Sequence, residues 1–204
     1  MSVDAVTIDA YGTLLTLRDP LPALADALRA HGIERTREQI EAAFRAEMAY
    51  YVERSHEGRD EATLALLRRD CAQVFLEAAD AELDPAEFAR PYVEALEFEP
   101  LPGAVEAVEA LAARGLRLAV VSNWDVGLHE HLRRLGLHLP AFTSAEAGAP
   151  KPDPAVFRAA LERLGVLAER ALHVGDSEAD EEGARAAGMQ FRPAPLADAV
   201  RGLL

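Results

Sequence analysis

Cysteine is nearly absent from the 204 residues: the only one is Cys71, so no disulfide can form within the chain. No run reaches the roughly 18 consecutive apolar residues that a membrane-spanning helix needs. The first residues, MSVDAVTIDAYG, have neither a basic start nor a long apolar stretch, so we expect no signal peptide. These absences predict a cytoplasmic protein that is not attached to a membrane.

Positive charge is also scarce. The chain has 21 Lys and Arg against 35 Asp and Glu, a net charge of −14, which would repel nucleic acids and anionic membranes. A small anionic substrate remains compatible, because a bound metal ion or a local cation can reverse the field within one site. No G-x-G-x-x-G follows the first apolar run, which disfavours a dinucleotide cofactor. We therefore expect a small-molecule substrate, anionic in character, and the oligomeric state stays open.

The order of predicted elements indicates an α/β core with a helical insertion. Residues 3–9 (VDAVTID) are short, apolar and β-branched, and are typical of a strand. From residue 19 to 98, apolar residues recur at three- and four-residue spacing in four successive segments, which predicts a helical bundle. After residue 99, short apolar runs alternate with helical patterns, up to a final predicted helix over 195–203. Such alternation is typical of a parallel sheet.

We therefore predict a three-layer, Rossmann-like parallel-sheet core that carries an inserted all-helical cap. The core comprises residues 1–16 and 99–204, and the cap comprises residues 17–98. Helix-entry signals support the helices of the cap: Thr36 is followed by Gln39 three residues later, and Asp84 precedes a proline.

Polar residues cluster where the predicted strands end. Asp9-Ala10-Tyr11-Gly12-Thr13 follows the first strand, Ser122-Asn123 follows the next, and Asp176 and Asp180 follow the strand at 171–175. Between the last two strands, Lys151 stands at the start of a predicted helix. Ligands of open parallel sheets bind beyond the carboxyl ends of the strands, so these residues are the candidate site.

Each residue type in this cluster has a chemical use. The Asp9 carboxylate can attack an electrophilic phosphorus or carbon atom and form a covalent intermediate. Thr13 and Ser122 offer hydroxyl groups to an anion, and Lys151 supplies a compact positive charge.

Three carboxylates in the same cleft point to a cation. Asp176 and Asp180 are four residues apart, and with Asp9 they would repel one another unless a hard metal ion were bound. Oxygen ligands in this number fit Mg²⁺. The residues alone leave open whether Asp176 and Asp180 instead serve the N-terminus of the following helix.

Four segments of the chain resemble, in order and spacing, the four motifs of the haloacid dehalogenase superfamily. They are DAYGTL (9–14), VVSN (120–123), KPDP (151–154) and HVGDSEAD (173–180). The resemblance covers the whole chain, since this superfamily carries its helical cap between the first two motifs.

The resemblance implies a role for each matching residue. Asp9 would be the nucleophile and a metal ligand, and the backbone carbonyl of Tyr11 would be a second ligand. Lys151 would act in catalysis, and Thr13 and Ser122, with Asn123 beside them, would bind the substrate. Asp176 would bind Mg²⁺, supported by Asp180 in the second layer of the metal site.

Tyr11 departs from the pattern of the superfamily's phosphatases, which usually carry a second Asp at this position to protonate the leaving group. General acid–base help is worth about 10²–10⁴-fold in rate. A tyrosine, with a pKa near 10, is a poor replacement. One interpretation is a Mg²⁺-dependent hydrolase of phosphate esters or acyl phosphates with good leaving groups.

Two other interpretations stay open. The first motif resembles that of 2-haloacid dehalogenases, which need no metal and no leaving-group acid; their cap arginine has a conceivable match in Arg45. Against this, the fourth motif keeps Gly175-Asp176, as in the metal-dependent branch. The third possibility is a phosphate-binding regulatory module without turnover. We favour the metal-dependent hydrolase.

Overall fold

The computed structural model describes residues 3–203. The chain divides into two compact units, a core unit of Met1–Thr16 with Glu99–Leu204 and a helical unit of Leu17–Phe98. The predicted core range also includes Met1, Ser2 and Leu204, which lie outside the described residues.

The helical unit contains four α-helices, α1 (Leu21–Ala30), α2 (Arg37–Arg54), α3 (Glu61–Ala78) and α4 (Pro85–Glu94). The predicted helix start at Thr36 is confirmed, since the Gln39 amide N–H donates to the Thr36 hydroxyl and the Thr36 N–H donates to the Gln39 side chain. The Ala86 N–H donates to the Asp84 side chain, which caps α4, and Pro85 is the first residue of this helix. Phe75, Phe88 and Tyr92 lie at the centre of this unit's apolar core.

Seven strands are described, β1 (Ala5–Ile8), β2 (Leu15–Leu17), β3 (Phe98–Pro100), β4 (Arg117–Ser122), β5 (Ala141–Thr143), β6 (Ala171–Gly175) and β7 (Gln190–Pro193). Five of them form one sheet in the order β5-β4-β1-β6-β7, and every neighbouring pair is parallel. The predicted parallel sheet is confirmed. Strands β1, β4 and β6 are almost entirely buried, as expected for the centre of a sheet covered on both faces.

Six further α-helices belong to the core unit: α5 (Ala104–Ala113), α6 (Leu128–Arg134), α7 (Ser144–Ala147), α8 (Ala155–Leu164), α9 (Glu178–Ala186) and α10 (Leu196–Ala199). Helices α8 and α9 share an apolar cluster with β1, β4 and β6. Helix α5 packs on β4, and helix α10 packs on β6 and β7. The two helices also contact each other. The sheet is thus flanked by helices, which confirms the predicted Rossmann-like fold class.

The predicted helix over 195–203 is wrong in its second half. Helix α10 ends at Ala199, and a short 3₁₀ turn follows at Arg201–Leu203. The Arg192 guanidinium donates to the Ala199 carbonyl oxygen at 2.5 Å, the acceptor that a continued α-helix would offer to the Leu203 N–H. The Leu203 N–H donates to Val200 instead, at 2.7 Å.

The two segments that join the units, β2 and β3, were not predicted as strands. They pair with each other in a two-stranded sheet of their own. Each has three residues, too few for a clear alternation of apolar and polar side chains. Within residues 3–203, no helix combines the length and apolar character that crossing a membrane requires.

Candidate active site

The parallel register of the sheet brings the candidate residues to one edge. Ile8 is aligned with Val120 of β4 and with Val174 of β6, so the three strands end side by side. Asp9 follows β1 directly, and its backbone N–H still donates to the Val174 carbonyl at 2.9 Å. Ser122 is the last residue of β4.

Asp9 is held as a nucleophile would need to be. Its side chain belongs to a residue only 5% exposed, and two groups donate to its Oδ1 atom: the Ser122 hydroxyl at 3.0 Å and the Lys151 ammonium at 2.6 Å. Both hydrogen bonds from the described residues reach the same oxygen. Oδ2 is therefore left for a metal ion or an electrophile.

Lys151 links Asp9 to Asp180. Its buried Nζ donates to Asp9, to Asp180 Oδ1 at 2.5 Å and to the Val121 carbonyl at 3.2 Å, so three acceptors fix the ammonium group. Its main chain is fixed by Asn123, which donates to the Lys151 carbonyl at 3.1 Å and accepts from the Lys151 N–H at 2.7 Å. Asn123 was predicted to bind substrate, and that role stays a prediction; the structure shows its amide holding Lys151 in place.

Asp180 is buried among donors at the start of α9. Its Oδ1 accepts from Lys151 and from His173 Nε2 at 3.0 Å, and its Oδ2 accepts from the Ser177 hydroxyl at 2.5 Å and the Ser177 N–H at 3.2 Å. Ser177 and Asp180 together form the capping box of this helix. The capping interpretation of Asp180 is therefore correct, and the capping residue is also the partner of Lys151.

Asp176 faces the turn that follows Asp9. Gly12 in that turn has φ +84°, and a Cβ placed on it would lie 2.0 Å from Asp176 Oδ2. Only glycine permits both this left-handed backbone and the close approach of the carboxylate. Asp9, Asp176 and Asp180 each offer a carboxylate oxygen, and these oxygens lie within 4.8 Å of one another. Such a donor set fits a hard divalent cation.

The charges in this cluster favour a cation as well. Burial raises the pKa of Asp9, and so does the neighbouring Asp180 charge, against the attraction of Lys151. Burial and Asp180 also raise the pKa of Asp176. For Asp180, burial is outweighed by His173 and Lys151, and its pKa is lowered. Burial disfavours the charged form of Lys151, but the attraction of Asp9 and Asp180 is larger, so the pKa of Lys151 is raised. A cation beside Asp9 and Asp176 would relieve the cost of ionising both.

Thr13 and Tyr11 occupy opposite environments in the same turn. The Thr13 hydroxyl is buried and has no hydrogen-bond partner among residues 3–203. Because buried hydroxyl groups are normally bonded, this one fits a ligand oxygen. Tyr11 is 48% exposed, and its backbone pairs with Leu15 in an isolated bridge.

Two residues of the site were not identified from the sequence. Ser177 was passed over, although its spacing to Asp180 is that of a capping box. His173 is buried in β6, and its ring bonds Asp180 directly. No local spacing signals that contact, because it depends on the strand and the helix meeting at the sheet edge.

Comparisons with known proteins agree with this geometry. The sequence profile of the haloacid dehalogenase-like hydrolases matches residues 3–188. Haloacid dehalogenase-like hydrolase domain-containing protein 3 of Homo sapiens is 36% identical over 93% of this chain and 80% of its own length. The phosphoglycolate phosphatase of Rhodospirillum rubrum is 36% identical over 91% of this chain and 76% of its own length. Among solved structures, the L-2-haloacid dehalogenase of Xanthobacter autotrophicus has a TM-score of 0.64 and 28% identity, over 98% of this chain and 82% of that chain.

Proposed function

The chain belongs to the haloacid dehalogenase-like hydrolases and is a hydrolytic enzyme, and we propose that it cleaves a small phosphate ester or acyl phosphate with the help of Mg²⁺. The observation that carries this proposal is the approach of Asp176 to the nucleophile turn. Lys151 offsets one of the three carboxylate charges, whose oxygens lie within 4.8 Å of one another, and a metal ion would offset the rest, which would otherwise repel an anionic substrate.

The residues that would hold Mg²⁺ are Asp9, Asp176 and the backbone carbonyl of Tyr11. All four described donors to Asp180 occupy its two oxygens, so Asp180 supports the site from behind. When bound, Mg²⁺ supplies charge that orients the phosphoryl group and offsets its negative charge. This division of roles agrees with the lowered pKa of Asp180 and the raised pKa of Asp176.

The chain's own groups account for attack and positioning. Asp9 Oδ2 attacks phosphorus, the bond from phosphorus to the leaving oxygen breaks, and an aspartyl phosphate forms. Lys151 and Ser122 hold Oδ1, which keeps Oδ2 directed at the substrate. The buried Thr13 hydroxyl, which lacks a partner in the described chain, donates to a phosphoryl oxygen. Water then attacks phosphorus, the bond from phosphorus to Asp9 Oδ2 breaks, and phosphate leaves with both hydrogens of the water, which restores the Asp9 carboxylate.

Tyr11 restricts the substrate. With no carboxylic acid two residues after Asp9, the leaving oxygen departs without a strong proton donor at that position. Leaving groups that are stable as anions, such as phenolates and carboxylates, tolerate this loss. We therefore assign aryl and acyl phosphates as the substrate class.

Dehalogenation is the second candidate, and Tyr11 is the observation that favours it. A halide leaves without a proton, and the Xanthobacter autotrophicus structure of similar fold is a dehalogenase. Against it, Asp176 and Asp180 would repel the carboxylate of a haloacid. Arg45 is the arginine of the helical unit that was considered as a partner for that carboxylate. It is exposed and pairs with Glu41 at 3.5 Å.

A paired assay separates the two. We expect release of nitrophenol from p-nitrophenyl phosphate with Mg²⁺, abolished by a chelator, and no halide from 2-chloropropionate under either condition. Halide release that survives the chelator would establish dehalogenation instead. Phosphate release that survives it would disprove the metal role.

Two variants assign the site within that assay. Asp176→Asn removes a proposed ligand, and we expect at least about a 100-fold loss of Mg²⁺-dependent turnover. Glu178→Gln removes the same charge from an exposed residue two positions away and serves as the control. Similar losses in both would mean that general acidity, and not ligation, explains the effect.

A further inference from the structure

The ring of His173 bonds Asp180, a residue of the proposed site. It lies in the middle of β6 and is completely buried. Its Nδ1 lies 2.9 Å from the Thr7 hydroxyl on β1, and its Nε2 lies 3.0 Å from Asp180 Oδ1. The steps proposed above make no use of this residue.

The partners determine where the ring carries its proton. Asp180 accepts from Lys151 and Ser177 through both oxygens, as an ionised carboxylate does. Nε2 must therefore carry the hydrogen, because an unprotonated nitrogen would set two lone pairs against each other. The Thr7 hydroxyl can donate as well as accept, so it donates to Nδ1 and completes the pattern for a neutral ring.

The ring has little freedom to choose another geometry. Phe157 meets it edge-on, with ring centroids 4.9 Å apart and an interplanar angle of 86°, and the Phe191 ring lies 6.3 Å away. The carboxylate is equally confined: a Cβ on Gly175 would lie 2.4 Å from Asp180 Cγ. Donor and acceptor are thus both held by packing, which is how a positioning interaction is built.

We propose that His173, with its Nε2–H fixed by Asp180 and its Nδ1 bonded by Thr7, is a positioning residue that turns Asp180 Oδ1 toward Lys151 and thereby holds the lysine against the nucleophile. The role in turnover rests on the proposed function. The hydrogen bonding itself does not, since it concerns groups within the chain. The continuous series runs from Thr7 through His173, Asp180 and Lys151 to Asp9.

Two substitutions separate the hydrogen bond from the packing. His173→Gln keeps an amide N–H near the position of Nε2, and His173→Phe keeps a ring against Phe157 while removing both nitrogens. We expect kcat to fall about 10-fold or more in H173F, the scale of one hydrogen bond to a charged group, and to stay within about 3-fold of wild type in H173Q. Equal losses in both variants, or no loss in H173F, would overturn the proposal.

The tautomer of His173 and its hydrogen bonds can be measured without following turnover. In protein labelled with ¹⁵N-histidine, we expect the His173 Nε2 signal to be that of a protonated nitrogen and the Nδ1 signal that of an unprotonated one. Thr7→Val, an isosteric change, removes the donor to Nδ1, so Nε2 should stay protonated while the Nδ1 signal shifts. A wild-type ring protonated on Nδ1 alone contradicts the assignment, as does an unchanged Nδ1 signal in T7V.

A crystal structure of H173F completes the test. We expect Asp180 to turn away from Lys151, lengthening the 2.5 Å contact beyond hydrogen-bond distance. If that contact persists, His173 does not position the lysine. Because neither this structure nor the nitrogen signals require a substrate, failure of the proposed hydrolase activity would be recognised separately, from the paired assay.

Discussion

Two positions after the nucleophile, the chain carries a side chain that is half exposed. In the proposed reaction, Tyr11 stands where a carboxylic acid would protonate the leaving group, while Ser122 and Lys151 hold the buried Asp9 for attack. Attack is therefore better provided for than protonation of the leaving group in the same step. An enzyme with this imbalance depends on the leaving group of its substrate.

Restoring the acid tests that dependence. We expect Tyr11→Asp to raise hydrolysis of an alkyl phosphate by about 10-fold or more, because general acid help is worth about 10²–10⁴-fold where a poor leaving group departs. Hydrolysis of p-nitrophenyl phosphate should change by less, since nitrophenolate leaves unaided. The ratio of kcat/KM for the two substrates measures the effect. Equal changes for both would contradict the argument, and Tyr11→Asn controls for loss of the ring.

The sequence was enough to locate those residues at the sheet edge whose position is fixed by the strand to which they belong. Asp9 and Asp176 follow β1 and β6, Ser122 is the last residue of β4, and neighbouring parallel strands end at one edge. Asn123 could not be assigned in the same way, because its bonds to Lys151 span 28 residues of sequence. Nothing local distinguishes an amide that holds a lysine from one that contacts substrate.

At the scale of single elements, α2 carries a buried acid. Glu47 is 2% exposed and lies on the same face as the buried Ile40 and Ala43. The Tyr92 hydroxyl of α4 donates to its Oε2 at 2.5 Å, and Cys71 of α3 also bonds it. The spacing of Ile40, Ala43 and Glu47 could have revealed this residue from sequence, since it places the acid on an apolar stripe.

Glu47 should make the stability of the helical unit depend on pH. Burial raises its pKa, which the bonds from Tyr92 and Cys71 lower only in part. A raised folded-state pKa contributes stability below the unfolded value of about 4.3, and that contribution is lost as pH rises through the folded value. We expect Glu47→Gln, which stays neutral, to gain Tm relative to wild type as pH is raised from about 5 to 8.

The control for this prediction is Glu82→Gln, which removes the charge of an exposed acid in the same unit. Its Tm difference from wild type should stay nearly constant over the same pH range. If Glu47→Gln also shows a constant difference, the buried carboxyl does not titrate between the two conditions.

Over the whole molecule, acidity dominates, with a net charge of −14. Within residues 3–203, a single group of at least three metal-ligating side chains is close enough to hold a metal ion, that of Asp9, Asp176 and Asp180. A cation bound there in the folded state alone stabilises it by RT ln(1 + [L]/Kd), about 2.7 kcal/mol at 100 times Kd. The free energy of unfolding of the whole protein would therefore depend on cation binding at this one site.

We therefore expect Mg²⁺ near 100 times its Kd to raise Tm by about 5 °C or more at constant ionic strength, measured by calorimetry. Asp176→Asn should lose most of that shift, and Glu178→Gln should keep it. A shift of the same size in all three proteins would reflect general screening of negative charge. No shift in wild type would contradict the proposed metal site.

The pairing of β2 with β3 determines where the inserted helical unit could be exchanged for another segment. The insertion leaves the core unit and returns to it along two adjacent strands, and none of its residues belongs to the five-stranded sheet. We expect that a foreign segment whose ends lie one strand spacing apart can replace the insertion at this point. The residues of the candidate site lie in the core unit, so such an exchange would leave them in place.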